Sequence, residues 1–183
     1  MFDTAINFTM KYEVGQWFNP NDPETKLGLY ASREQRKKVG YVNDPDDSGG
    51  VTKFGVAQNS HKSIVVNDLT WDQAKAIYEK DYFKAGQCDK LHDRLAIAHF
   101  DACVNHGVSQ AAKFLQRAVG TPPDGIVGPM TIAAANSSDC LDSMLYERRK
   151  FYKDLVYVKP AQGRFLTGWL ARVDALEALV KAL

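Results

Sequence analysis

The chain has 183 residues, of which 45% are hydrophobic and 11% aromatic, so it is long enough to bury a core and general disorder is disfavoured. Its 23 Lys and Arg against 22 Asp and Glu leave a net charge of +1, which disfavours a protein that holds nucleic acid mainly through phosphates. No apolar run is long enough to span a bilayer, and the first residues lack the pattern of a secretory signal. The odd number and wide spacing of Cys88, Cys103 and Cys140 predict reduced thiols rather than a disulfide framework.

The N-terminal third combines one helical pattern with turn-rich segments. Apolar residues recur at i+4 steps from Phe2 to Val14 and predict an amphipathic helix that ends at Gly15. Residues 16–38 have no sustained period and predict a long loop or a small insertion. Residues 40–56 contain four glycines between β-formers, which predicts tight turns within a small hairpin.

The rest of the chain is predicted to be helical. Capping signals and apolar periodicity predict helices over residues 70–84, 91–102, 109–118, 129–135, 138–156 and 162–182. The predicted fold class is therefore mainly α, an α+β protein with a minor β element near the N-terminal third.

Carboxyl groups in unlike surroundings occur in the N-terminal third. Glu13 lies at the end of the first predicted helix beside its apolar stripe, where partial shielding from water would raise its pKa and make it a proton donor. Asp44, Asp46 and Asp47 lie in the turn-rich segment and are expected to be ionised. Glycoside hydrolysis uses such a pair of carboxyl groups. The residues alone leave open that Glu13 is a surface charge and that the aspartates form Asx turns.

Motifs along nearly the whole chain resemble one family. Glu13 and Gly15, followed by GYVNDPDDSGGVTKFGV at 40–56, are similar to the signature of glycoside hydrolase family 108, which comprises phage and bacterial N-acetylmuramidases. Downstream segments such as HFDACVNHG and DGIVGPMTI resemble that family's C-terminal, predicted peptidoglycan-binding region. The resemblance implies a single lysozyme-like domain over 1–183. A lobe over 1–69, with the catalytic helix and β-hairpin, and a helical lobe over 70–183 would flank a saccharide cleft.

The resemblance also implies roles for individual residues. Glu13 would be the general acid, Asp47 the second carboxylate with Asp44 as its rival, and Thr52 a hydroxyl that positions water. The residues implied to bind substrate are Tyr41, Asn43, Gly50 and Asn105. From their residue types, Thr52 is equally explained as an ordinary strand residue and Tyr41 as a core tyrosine.

The sequence departs from the family pattern after the glutamate. Val14 replaces the first glycine, and residues 16–39 separate Gly15 from the Gly40-Tyr41 pair, so we interpret 16–39 as an insertion that loops out. The competing assignment would make Glu34 the catalytic acid, but its basic neighbours are typical of a solvated, charge-paired face. We therefore favour Glu13.

One pattern suggests a metal instead of a carbohydrate. His99, Cys103 and His106 stand at i, i+4 and i+7 of a predicted helix and are all residue types that bind zinc. They lack an evident fourth ligand, so the favoured interpretation has no metal and no cofactor.

The function expected from the resemblance is that of a phage-type endolysin. It would hydrolyse the β-1,4 bond between N-acetylmuramic acid and N-acetylglucosamine in peptidoglycan by general acid catalysis. The alternatives are a lytic transglycosylase, or a non-catalytic peptidoglycan-binding or virion protein, the latter suggested by the altered Glu-Val-Gly sequence. The expected partner is the glycan strand, without nucleic acid or stable membrane insertion, and the protein is expected to be a monomer. It would accumulate in the host cytoplasm and reach the wall after release by a holin.

Overall fold

The computed structural model of the protein describes residues 1–44 and 49–183. The chain divides into two compact units, one formed by Ile6–Glu79 and the other by Met1–Ala5 with Lys80–Leu183. Helices predominate and the described strands form one small antiparallel sheet, which confirms the predicted mainly α fold class. None of the helices within the described residues combines the length and apolar character that crossing a bilayer requires.

The helices are α1 (Phe2–Glu13), α2 (Pro23–Leu27), α3 (Arg33–Val39), α4 (Trp71–Tyr78), α5 (Asp93–His106), α6 (Val108–Ala118), α7 (Pro129–Ser137), α8 (Leu141–Val158) and α9 (Gly163–Lys181). The strands are β1 (Thr52–Lys53) and β2 (Val56–Ala57). Single 3-10 turns occur at Gln58–Ser60, Val66–Asp68, Cys88–Lys90 and Pro160–Gln162, and a π-helical turn occurs at Glu79–Lys84.

The first helix follows its apolar period. Ile6 and Met10 lie one helical turn apart and are fully buried. The helix ends after Glu13 because Gly15 adopts a φ of +117°, a conformation that glycine accepts without the strain a β-carbon would bring. The predicted helix and its end at Gly15 are confirmed.

Residues 16–38, predicted as a long loop or a small insertion, contain two short helices, so the loop alternative was wrong. α2 begins with Asp22 as N-cap and Pro23 as its first residue, and the Asp22 side chain accepts a hydrogen bond from the backbone N–H of Glu24. α3 begins with a capping box between Ser32 and Gln35. Both helices are too short and too exposed to produce an apolar period, which explains why the periodicity argument missed them.

The predicted hairpin is present around a two-residue turn. β1 and β2 pair antiparallel with Thr52 opposite Ala57, and Val42 forms a further bridge to Thr52. The turn residues Phe54 and Gly55 both have positive φ, as a type I′ turn requires. Positive φ is unfavourable for an aromatic residue, and full burial of the Phe54 ring stabilises it here.

Trp71 lies at the centre of the core of the unit Ile6–Glu79. Its ring is 4.8 Å from that of Phe18 and 5.6 Å from that of Phe54, so one side chain joins the segment after α1 to the hairpin. The capping box between Thr70 and Gln73 starts α4 at Trp71, as the sequence predicts. The predicted helix over 70–84 continues beyond α4 as the π-helical turn.

The other unit is organised around α5. Every residue of this helix from Leu95 to Cys103 is buried, which is typical of a central helix surrounded by others. Helices α6, α8 and α9 pack against it. The rings of Phe2, Phe83 and Phe100 form an aromatic cluster in the same unit, with centroids 5.0 to 5.8 Å apart.

Candidate active site

Glu13 is the last residue of α1 and lies against the hairpin turn. It is half-buried, and a β-carbon added to Gly55 would lie 3.5 Å from the Glu13 Cβ. The hydroxyl of Tyr78 donates a buried hydrogen bond of 2.9 Å to the Phe54 carbonyl, which fixes the turn. The end of the helix and the hairpin are therefore held together at the predicted catalytic glutamate.

The two ends of the insertion meet in space. A β-carbon added to Gly40 would lie 3.3 Å from the Val14 Cα, so residues 15–39 leave the chain and return to the same place. Gly40 and Tyr41 thus lie next to Val14 in space. They would follow Val14 directly in the sequence if the insertion were removed. This arrangement is the one expected if residues 16–39 loop out.

Glu34 lies in a different kind of environment. It is exposed in the first turn of α3, where a negative charge interacts favourably with the helix dipole. The basic residues of α3 lie in the last turn of the helix. The helix dipole therefore explains a glutamate at position 34 without a catalytic role, and Glu34 lacks the partial burial of Glu13.

The insertion is anchored to the hairpin by a buried lysine. Lys53 of β1 is only 1% exposed, and its ammonium donates a hydrogen bond of 2.7 Å to the Asn67 carbonyl. The same ammonium lies 4.8 Å from the centre of the Tyr30 ring in the insertion. Burial lowers the pKa of Lys53.

A cationic groove of about 350 Å³ begins beside Glu13, at Val14. Arg33, Arg36 and Lys37 line it together with the indole of Trp17. Trp17 is 58% exposed, and the Lys37 ammonium lies 5.5 Å from its ring centre. The groove thus offers an exposed aromatic face and several cations, which suit a sugar ring that carries anionic substituents.

Tyr41 also lines this groove, but its ring has a partner. It stacks on Tyr30 with centroids 4.4 Å apart and an interplanar angle of 13°, and its hydroxyl lies 3.2 Å from the Asn67 side-chain oxygen. The guanidinium of Arg36 lies 5.7 Å from the ring centre. Stacking on a sugar is therefore restricted at Tyr41, and Trp17 is the more exposed aromatic side chain.

The hairpin segment also holds the other predicted site residues that the structure describes. Thr52 is half-buried, and its backbone exchanges hydrogen bonds of 2.8 and 2.9 Å with Val42. Asn43 and Asp44 are exposed, and Gly50 adopts the positive φ of +68° expected for a tight turn.

Asp47, the preferred second carboxylate, and Asp46 lie outside the described residues. The choice between Asp44 and Asp47 as the second carboxylate therefore stays a prediction.

Asn105 lies in the other unit, where two donors orient its side chain. Its oxygen accepts hydrogen bonds from the Arg148 guanidinium at 3.2 Å and from the Tyr152 hydroxyl at 2.5 Å. These bonds direct the amide nitrogen away from Arg148. The predicted binding residue is thus held in one orientation.

The orientation of Asn105 depends on a buried ionic network. Arg148 donates to Asp101 at 2.7 Å and to His106 Nε2 at 3.1 Å, and Arg172 donates to Asp101 at 2.8 Å. Burial raises the pKa of Asp101, but the charges of Arg148 and Arg172 outweigh that effect and the net shift is downward. Burial and the nearby Arg148 lower the pKa of His106 to about 3, so its imidazole stays neutral.

These supporting residues were missed from the sequence. Arg148 and Tyr152 lie within the helix predicted over 138–156 and Asp101 within the one predicted over 91–102, and none of the three was assigned a role from the sequence. The sequence signal that could have found them is Arg148, an arginine at a core-facing position of the helix. An unpaired buried guanidinium is so unfavourable that a carboxylate partner is expected nearby.

Comparisons with known proteins agree with these features. Residues 35–107 match the family described as "Glycosyl hydrolase 108", and residues 110–174 match the one described as "Predicted Peptidoglycan domain". Both Glu13 and Glu34 precede the matched residues. No curated protein gave a significant sequence match.

A solved structure is also similar to this chain. It is SagA from Brucella abortus, with 27% sequence identity, a TM-score of 0.63, and alignment over 78% of this chain and 86% of that one. Together with the mainly helical architecture and the small hairpin, this similarity supports the predicted lysozyme-like α+β fold. The chain thus contains a segment that matches the glycosyl hydrolase 108 family, followed by one that matches a predicted peptidoglycan domain, and these matches support a glycoside hydrolase that degrades peptidoglycan.

Proposed function

We propose that the protein is a phage-type endolysin that hydrolyses the β-1,4 bond between N-acetylmuramic acid and N-acetylglucosamine, with Glu13 as its general acid. The observation that carries this proposal is the return of the chain to Val14 at Gly40, because it places the Gly40-Tyr41 pair directly after Glu13 and Val14 in space. Glu13 is the glutamate at that point, half-buried at the hairpin turn.

In this mechanism Glu13 protonates the leaving oxygen of the scissile bond. A second carboxylate, Asp47 or Asp44, stabilises the positive charge that develops on the sugar or activates water, and the Thr52 hydroxyl orients that water. The groove at Val14 supports binding of an anionic glycan, because peptidoglycan carries carboxylates on its stem peptides and the groove carries Arg33, Arg36 and Lys37. Proton transfer and electrostatic stabilisation are sufficient for this chemistry.

The test compares Glu13→Gln with Glu34→Gln as a matched control. Turbidity loss of outer-membrane-permeabilised Gram-negative cells measures lysis, and thermal unfolding verifies that each variant is folded. We expect the first variant to lose activity by about 10²- to 10⁴-fold and the second to remain close to wild type. Wild-type lysis by folded Glu13→Gln, or loss of activity only in Glu34→Gln, would reject the assignment.

Product analysis separates the two enzymatic mechanisms. Mass spectrometry of the released muropeptides yields reducing ends for a hydrolase and anhydro ends for a lytic transglycosylase. A non-catalytic peptidoglycan-binding protein would retain binding to sacculi and release no soluble fragments. The proposal requires reducing ends.

The proposed location is the host cytoplasm, followed by release to the wall through a holin. Among the described residues Cys88, Cys103 and Cys140 are buried and unpaired, which agrees with a reducing compartment. Co-expression with a holin should cause lysis, whereas expression alone should leave the cells intact. Lysis without a holin would contradict this route.

A further inference from the structure

A group of metal-ligating side chains lies in the unit Met1–Ala5 with Lys80–Leu183. Cys88, His99 and Cys103 each offer one ligand atom, and these atoms all lie within 4.8 Å of one another. All three residues are 0% exposed. His106, which the sequence placed on the same helix face as His99 and Cys103, instead accepts a hydrogen bond from Arg148.

The hydrogen bonding of His99 leaves one ring nitrogen available to a metal ion. Its Nε2 lies 3.1 Å from the Gly86 carbonyl, so the ring donates its N–H there. The other nitrogen, Nδ1, is buried and has no hydrogen-bond partner. Histidines that bind metals typically donate their second N–H to a carbonyl or carboxylate, which fixes the tautomer and the ring orientation.

Gly86 leaves the space in which the two sulfurs approach each other. A β-carbon at this position would lie 2.7 Å from the Cys103 Sγ and 3.3 Å from the Cys88 Sγ. Any larger residue would push the sulfurs away. Gly86 therefore orients His99 through its carbonyl, and its lack of a side chain leaves room for both sulfur atoms.

The residue types of the group also suit a cation. Two thiols and an imidazole nitrogen lie close together where the protein excludes water. Metal ions bind thiols in their deprotonated form, so a bound cation would neutralise the thiolates and occupy the unpartnered nitrogen.

We propose that Cys88, His99 and Cys103 bind one Zn²⁺ ion that stabilises this unit. Thiolate and imidazole are the ligands that zinc prefers, with bonds of about 2.3 Å to sulfur and about 2.0–2.1 Å to nitrogen. Tetrahedral geometry then places the ligand atoms roughly 3.5–3.8 Å apart, so the group needs to contract by about an ångström or less. No fourth Cys, His, Asp or Glu of the described residues joins it, and a water molecule or a backbone carbonyl would complete the tetrahedron.

The first test uses the folded wild-type protein. After purification without chelators, elemental analysis should find about one zinc per chain, and removal of the metal should lower the melting temperature until zinc is restored. Co²⁺ added to the stripped protein should produce thiolate-to-metal charge transfer together with the intense visible bands of tetrahedral cobalt. These readouts do not depend on the glycosidase activity.

The second test compares Cys103→Ser with Cys140→Ser. Cys140 is a buried cysteine outside the group, so its variant is the matched control. We expect Cys103→Ser to weaken zinc binding at least about tenfold and to lose the cobalt charge-transfer band, whereas Cys140→Ser retains both.

Two results would overturn the proposal. One is a folded wild-type protein that takes up neither zinc nor cobalt and contains three free thiols after denaturation. The other is a Cys88–Cys103 disulfide, detected as the loss of two hydrogens by mass spectrometry, in protein isolated from a reducing cytosol. If Cys103→Ser fails to fold, metal uptake by the wild-type protein still decides the question.

Discussion

The buried carboxylate of Asp101 is shared by two arginines, and its removal should destabilise the protein strongly. It lies 2.7 Å from an Arg148 nitrogen and 2.8 Å from an Arg172 nitrogen, and the three side chains are 1%, 0% and 8% exposed. Asp101→Asn preserves the shape of the side chain but removes its charge. Two buried guanidinium groups would then face a neutral amide without compensation.

The expected loss in the free energy of unfolding is about 3–5 kcal/mol, the usual range when one partner of a buried ion pair is removed. For a chain of this size each kcal/mol lowers the melting temperature by roughly 2–4 °C, so the expected shift is about 6–20 °C. The matched control is Asp174→Asn. Asp174 is 65% exposed and pairs with Arg149 at 2.7 Å, so its removal should change stability by only about 0.5 kcal/mol.

The difference between wild type and Asp101→Asn should depend on pH. Burial opposes ionisation of Asp101, but Arg148 and Arg172 hold its pKa below the ordinary value of 3.8. Its contribution is therefore fully present above that value and is lost as the pH falls through the lower pKa of the folded protein. The difference measured at pH 7 should persist at pH 5 and narrow only below about pH 4.

Calorimetry and urea unfolding at these pH values provide the measurement, with far-UV circular dichroism to verify the fold. Equal shifts in melting temperature for Asp101→Asn and Asp174→Asn would refute the argument from burial. So would a difference that disappears between pH 7 and pH 5.

Further predictions concern the hairpin turn and the histidine beside Arg148. Gly55→Ala should lower the free energy of unfolding by about 1–2 kcal/mol, because alanine is strained at the positive φ of this position. The new methyl group would also meet Glu13 and Tyr78, so lysis should be reduced. Unchanged lysis would contradict this contact. Tyr78→Phe removes the hydrogen bond to the Phe54 carbonyl and should lower the free energy of unfolding, measured in urea, by about 0.5–1.5 kcal/mol. An unchanged free energy would mean that this bond does not stabilise the turn. Burial and Arg148 lower the pKa of His106 to about 3, whereas its ordinary value is 6.5. Between these two values the unfolded chain binds a proton at His106 that the folded protein does not bind. The free energy of unfolding should therefore fall as the pH drops from 6.5, by up to about 1.4 kcal/mol per pH unit. His106→Gln should flatten this slope in urea titrations, and an identical slope would count against the assignment.

Local signals predicted most helices correctly. The Thr70–Gln73 capping box marked the start of α4, and Pro129 marked the start of α7, because caps and first-turn residues act within a few positions of the chain. The insertion carries the same kind of signal, as Asp22-Pro23 and as the Ser32–Gln35 capping box, but it lacks an apolar period. A capping signal without an apolar period can therefore be enough to start a short helix.

The candidate site was predictable to a smaller extent. The sequence placed Glu13 at the end of a helix and a hairpin within residues 40–56, and the structure confirms both elements. Interpreting residues 16–39 as an insertion implied that Gly40 returns to Val14, whereas the closeness of Gly55 to Glu13 was not predicted. The roles of Glu13, Asp44, Asp47 and Thr52 stay predictions.

By itself, the amino-acid sequence determined the mainly helical class, the helix boundaries set by caps and glycines, and the motifs that mark the family, because all of these are written in neighbouring residues. Only the tertiary structure decided that Cys88 joins His99 and Cys103 and that Arg148 is neutralised by Asp101. These partners are far apart along the chain, and packing of α5 against its neighbours brings them together. Spacing within one helix placed His106 with His99 and Cys103, whereas the third member of the buried group, Cys88, comes from another element.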